Sequence, residues 1–165
     1  DVTSLTGQAL IQAIISDAGR TKLALSRADV PMTNPGWLMH PDTVQFLEDL
    51  VTTVGNKVFP EIAEGKFRGH RFATTTQIPT NLSLAASGAS GNGSELYFVD
   101  FDQMIIGESK ALSIAISTEA TYKEGGQVVS AFQRRQTLIR VETENDFGPR
   151  HPQAIAVLNG ITWYR

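Results

Sequence analysis

Three histidines, a run of alternating carboxylates and a glycine-rich stretch are the residues whose types and spacing invite a chemical reading. His40, His70 and His151 stand in the contexts HPD, GHR and RHP. No two share the i, i+4 spacing that sets a pair of imidazoles on one helix face, so they read as turn or surface residues. Glu142, Glu144 and Asp146 alternate, which on a strand aligns them on one face. Paired carboxylates can do acid–base work. No pocket signal surrounds these three, so the alignment predicts a charged face that meets arginine on a neighbour. The stretch SGASGNGS, residues 87–94, places Gly88, Gly91 and Gly93 in neither the G-x-G-x-x-G nor the G-x-x-x-x-G-K-[ST] pattern. It reads as a flexible loop rather than a phosphate cradle. No G-x-S-x-G turn occurs, which leaves a small α/β hydrolase with His40 or His151 as base only a remote alternative. Arg134-Arg135 and Arg68 with Arg71 are the basic clusters. They lack the interleaved aromatics of a base-stacking surface and predict solvated strand faces or intersubunit ion pairs.

The elements that must position these residues follow from periodicity. Leu10, Ile11, Ile14, Ile15 and Ala18 recur at helical spacing and predict a helix over residues 4–27. A turn cluster at 30–36 leads into a short buried strand at Trp37–Met39. Pro41 opens a second helix, predicted over 41–53, with Val44, Leu47, Leu50 and Val51 as its apolar face. Residues 53–65 read as a long loop. Residues 67–79 hold a threonine-rich strand in which alternation would bury Phe67 and Phe72. Strands at 96–99 and 104–107 flank a turn at Asp100–Asp102. Leu112, Ile114 and Ile116 alternate with small residues and predict a half-buried strand. Residues 123–127 read as a hairpin-like break. Residues 137–144 form a long strand with one polar face. The segment Gly148–Pro152 ends it, and 155–158 and 161–163 are the last apolar strands. Residues 84–93 are expected to be the least ordered internal loop, with 53–65 next.

Bulk properties narrow the function classes. The chain has 165 residues, 41% of them hydrophobic, which suits one domain or one domain with an excursion. No run approaches the ~18 apolar residues of a spanning helix. The absence of cysteine removes disulfides and thiolate zinc sites. A formal net charge of −3 argues against a domain that grips DNA phosphates tightly. No cofactor is implied. The chain lacks an initial Met and opens directly into a helical pattern, so it is expected to be part of a longer protein.

Four blocks, in order, resemble the major capsid proteins of tailed bacteriophages, a likeness that runs from the first helix to the end. WLMHPDTVQFLEDL at 37–50 resembles the family's strand, Asn/His-Pro turn and helix. FRGHRFATTTQIP at 67–79 resembles its W/L-x-G-x-P-V-x-x-T-x-x-x-P strand, with Arg71 where proline is usual. Residues 98–107, which include VDFDQMIIG, resemble its G-D-F strand. Residues 132–158 resemble the long strand, the R-P/H-P junction and the short segment beyond it.

This resemblance implies an α+β phage capsid fold. Residues 1–109 with 152–165 would make an axial-like domain, a mixed sheet with flanking helices. Residues 110–151 would make part of the peripheral β-ribbon. The N-terminal arm, extended loop and spine helix would lie upstream. It implies a structural shell protein, not an enzyme, that assembles with copies of itself into pentamers and hexamers. Scaffold, protease or portal proteins would be partners during assembly. DNA would be enclosed without sequence-specific binding, no membrane would be involved, and the protein would pass from the bacterial cytoplasm to the virion head. Encapsulin nanocompartment shells share the fold and are the alternative. The residues expected at subunit contacts are Asn56, Lys57, Gly91, Asn92, Arg134, Arg135, Glu142 and Glu144. Some relatives weld subunits through a Lys–Asn bond promoted by a glutamate. Glu142 falls at the glutamate's place, but Arg135 stands where those relatives have asparagine, so no cross-link is expected from this segment. By itself the chain is expected to be monomeric or weakly associated.

Overall fold

A computed structural model describes residues 7–84 and 92–163. The chain is mixed α+β and divides into two compact units, Asp1–Met104 with Pro149–Arg165, and Ile105–Gly148.

In the first unit, α1 (Gln8–Arg27) buries Ile11, Ile14, Ala18, Thr21 and Leu25, one residue about every turn, as an amphipathic helix must. Leu10 is only half-buried. The helix predicted from residue 4 begins at Gln8, and residues 1–6 lie outside the described residues. β1 (Pro35–Met39) carries Trp37 and Met39 inward. α2 (Pro41–Asp49) follows at once. His40 is its N-cap, with Nδ1 accepting from the Asp42 backbone N–H at 3.2 Å. That imidazole therefore satisfies a helix terminus rather than a substrate.

α2 stops at Asp49, four residues short of the predicted end, because Leu50 turns to an extended backbone. Val51 then forms a lone bridge with Lys57 and lies 53% exposed, against the expectation that it would be buried. The loop predicted at 53–65 contains a 3-10 turn, Pro60–Glu64, that buries Ile62. What reads as one strand at 67–79 is a tight hairpin. β2 (Lys66–Phe67) and β3 (His70–Thr74) are joined by Arg68 and Gly69, both with left-handed φ, of 52° and 80°. The turn demands this geometry, and the Glu61 carboxylate accepts from both turn amides, at 2.6 and 3.1 Å.

β4 (Leu82–Ser83) and β5 (Asn92–Asp100) complete the first run of the sheet, and β10 (Ile155–Ile161) closes it. The order is β10-β5-β1-β3-β2, with β4 also on β5. Only β1 and β3 run parallel. β5 lies between β1 and β10 and is buried at six of its nine residues, the near-continuous burial of a central strand. The two last strands predicted at 155–158 and 161–163 are one strand with an irregularity between Asn159 and Ile161, where Gly160 takes φ 74°. A side chain at Gly93 would meet the Gly160 Cα at 3.0 Å, so the two backbones approach as closely as glycine allows there. The core gathers Trp37, Phe59, Phe67 and Phe98. Ring centroids stand 4.3 Å apart for Trp37–Phe98, 5.4 Å for Trp37–Phe67 and 5.3 Å for Phe59–Phe67.

The second unit is built from β6 (Met104–Ser117), β7 (Thr121–Glu124), β8 (Gln127–Ser130) and β9 (Leu138–Pro149). β6 pairs with β9, and β7 pairs with β8. Gly125 and Gly126, with φ 57° and 83°, form the two-residue β7–β8 turn where a hairpin-like break is predicted.

Candidate functional site

The second unit keeps little of its apolar surface inside. Val129 and Ala131 are its buried hydrophobics among the described residues. Ten large apolar side chains are instead exposed: Ile105, Ile106, Leu112, Ile114, Ile116, Val128, Phe132, Ile139, Val141 and Phe147. Leu112, Ile114 and Ile116 are 64%, 60% and 68% exposed, against the expectation of a half-buried strand. The physical reason is that a two-stranded ribbon has no second layer to cover either face.

Strand geometry sorts these residues. Ser109 Oγ donates to Glu144 Oε2 at 3.0 Å, and Gly107 lies against the Asp146 carbonyl. Rising numbers on β6 thus meet falling numbers on β9, and the pair is antiparallel. Ser109 and Glu144 share one face. Leu112, Ile114 and Ile116 alternate onto the other face, as do Ile139 and Val141 on β9. One face of the ribbon is therefore an apolar row contributed by both strands. The opposite face carries Ser109, Arg140, Glu142 and Glu144.

The residues that the sequence points to as contacts are dispersed. Glu142 accepts from Arg140 Nε at 2.8 Å, two residues away on the same strand. Arg134 Nη1 donates to Glu124 Oε2 at 2.7 Å, a bond that raises the arginine's pKa. Arg135 sits in the same loop with φ 54°. In the first unit, the Asn56 backbone N–H donates to Thr52 Oγ1 at 3.2 Å, and Lys57 Nζ pairs with Glu48 at 3.2 Å. Asn92 opens β5 opposite Ser83. Gly91, and the loop expected at 84–93 save Leu84, Asn92 and Gly93, lie outside the described residues. The structure thus brings Glu142 and Glu144 onto one face of β9. An exposed pair such as Arg140–Glu142 contributes only ~0–1 kcal/mol.

The apolar row escapes a reading that searches for charged chemistry. Its signal is present in the alternation at 112–116 and 137–143. The arrangement presents a hydrophobic strip, and exposed apolar patches rimmed by polar residues mark interaction surfaces.

Among the described residues, His70 is the histidine set into a core. Its ring meets Phe98 edge-on at 5.2 Å, and its Nε2 is buried without a hydrogen-bond partner. Burial, then the nearby Lys22 charge, lowers its pKa, and Glu61 opposes them. Tyr97 donates to Glu95 Oε2. That bond, with burial and the Glu95 charge, raises the phenol to about 12.

Comparison with known proteins gives a consistent result. The sequence profile described as the phage capsid family matches residues 2–160. A major capsid protein of Klebsiella oxytoca phage phiKO2 is 42% identical over 131 residues, which are 79% of this chain and 29% of that protein. The chain therefore spans less than a third of this curated relative. A solved structure from Mycobacterium phage Ogopogo superposes with a TM-score of 0.56 at 18% identity, covering 94% of this chain and 52% of that one. The likeness to that structure is one of fold.

Proposed function

The chain belongs to the phage capsid family, and on that premise we propose that it is the shell-forming part of a phage or prophage head protein, with the apolar face of its β6–β9 ribbon as a subunit interface. The observation that carries this reading is the exposed row of Leu112, Ile114, Ile116, Ile139 and Val141 on one face of that ribbon. Covering these five, already partly shielded, yields roughly 1 kcal/mol each, about 5 kcal/mol gross. An exposed ion pair contributes only ~0–1 kcal/mol, so the row contributes more to such a contact than the ion pairs beside it. In this reading Arg134, Arg135, Glu142 and Glu144 set register and partner choice at the contact. Asn56, Lys57, Gly91 and Asn92 would serve as contacts in the first unit.

The two units correspond in this proposal to an axial-like domain and a peripheral ribbon. Copies close into pentamers and hexamers by head-to-tail contacts, as rings require. The shell encloses DNA without reading its sequence, and assembly takes place in the bacterial host before the protein resides in the virion head. Glu142 acts as a strand residue paired with Arg140 and promotes no covalent bond.

The test is assembly of the full-length protein expressed alone, followed by electron microscopy. Closed shells are expected from the parent sequence, and unassembled, folded subunits from Ile114→Asp combined with Ile139→Asp. Normal shells from the double variant would refute the interface.

A further inference from the structure

A cleft of about 490 Å3 in the first unit is lined by residues from the loop after α1 and by the chain that leaves β9. The loop contributes Asp29 and Val30, the chain beyond β9 contributes Arg150, His151 and Gln153, and Gln103 comes from the 3-10 turn before β6. None of the residues assigned above to subunit contacts lines this cleft.

The polar groups here have no structural employment. The Arg150 backbone N–H donates to the Gln103 carbonyl at 2.7 Å, which fixes where the arginine emerges. Among the described residues, no hydrogen bond or ion pair engages the side chains of Arg150, His151, Gln103 or Gln153. The loop that forms the facing wall is strained. Asp29 and Met32 hold φ of 55° and 53°, a left-handed conformation that costs non-glycine residues about 1–2 kcal/mol each. Strain of this kind persists where the surroundings impose it, and it clusters at ligand clamps.

The charges select the class of ligand. Arg150 offers a planar fork that matches a carboxylate in two parallel bonds. Asp29 places a negative charge on the same cleft, which offsets that of Arg150. A phosphodiester chain would set several anions against Asp29. A peptide offers one carboxylate to Arg150, and its N–H groups and carbonyls suit Asp29 and the two glutamine amides. Val30 and buried Ala154 give an apolar wall for the aliphatic stem. We propose that this cleft binds an acidic peptide segment, with Arg150 receiving an Asp or Glu carboxylate and Gln103 and Gln153 holding its backbone.

The experiment is an amide NMR titration of the 165-residue chain with acetyl-Ala-Glu-Ala-amide. The neutral acetyl-Ala-Gln-Ala-amide and inorganic phosphate serve as comparisons at matched ionic strength. Saturable shifts at Asp29, Gln103, Arg150 and Gln153 are expected with the glutamate peptide. Arg150→Gln removes the charge of an exposed side chain and keeps the backbone bond to Gln103. It should weaken binding at least about tenfold, since a charge-assisted hydrogen bond is worth about 1.5–3 kcal/mol. Gln153→Ala should weaken it less, and both variants should keep the parent spectrum elsewhere. Equal shifts with the Glu and Gln peptides, undiminished binding by Arg150→Gln, stronger binding of phosphate, or no saturable shift would each overturn the proposal. None of these outcomes would touch the ribbon reading.

Discussion

Alternating apolar residues meet opposite fates in the two units. On β5, Leu96 and Phe98 are fully buried between neighbouring strands and an aromatic core. On β6, Leu112, Ile114 and Ile116 repeat the same period and stay more than half exposed. The residue types barely differ. What differs is the number of layers and paired neighbours around each strand. β5 has a partner on either side, whereas β6 has only β9. The first unit completes its own core. The second leaves one face of its ribbon uncovered among the described residues.

The sharpest way to break this comparison is to remove one large apolar side chain from each unit. Trp37→Ala deletes a fully buried ring from the first unit and should lower its stability by about 3–5 kcal/mol in urea unfolding. Ile139→Ala, at a side chain 66% exposed, should change stability by no more than about 0.5 kcal/mol in the isolated chain. Comparable losses would mean that the ribbon is already part of a closed core. Next in size is Gly93→Ala, whose Cβ would come within 2.6 Å of Leu84 Cδ2 and 3.0 Å of the Gly160 backbone. Leu84 can yield but the Gly160 backbone cannot, and a loss of about 1–3 kcal/mol is expected from the melting of the first unit.

A smaller effect should follow pH. The pKa of His70 in the fold is lowered, first by burial and then by Lys22. The unfolded chain therefore binds more protons below its ordinary value of about 6.5. Stability linked to His70 is complete above about pH 6.5 and declines as pH falls towards the folded pKa. The urea midpoint should drop between pH 7 and pH 5, and His70→Gln should flatten that slope. An unchanged slope would show that another group controls it. The smallest effect is expected at Glu142. Glu142→Ala should leave assembled shells dissociating into single subunits on denaturing gels, as the parent does. Ladders of covalent oligomers that vanish in the variant would make this glutamate catalytic.

These contrasts show what the sequence could disclose. The helical spacing of Ile11, Ile14 and Ala18 identified the face of α1 that is buried, because the 3.6-residue period follows from backbone geometry. Pro41 after His40 marked the start of α2 for a similar reason. The end of α2 was less legible: Val44 and Leu47 continue naturally to Val51, and nothing in that period registers the extended turn at Leu50. Phe67 and Phe72 read as one strand because the Arg68–Gly69 turn is too short to interrupt the apolar pattern. The apolar row was half legible. Alternation states which residues share a face, as it did for Ile139 and Val141, but not what covers that face. That depends on layers supplied by the rest of the fold, or by another copy.

The central claim is that the apolar row of the ribbon is free in the subunit and covered in the shell. The chain has no cysteine of its own, so Ile114→Cys in the full-length protein gives a single thiol in that row. Maleimide labelling of this thiol, timed in unassembled subunits and in closed shells under the same conditions, tests the claim most directly. The account predicts rapid labelling of free subunits and strong protection in shells. Equal labelling in both would contradict it.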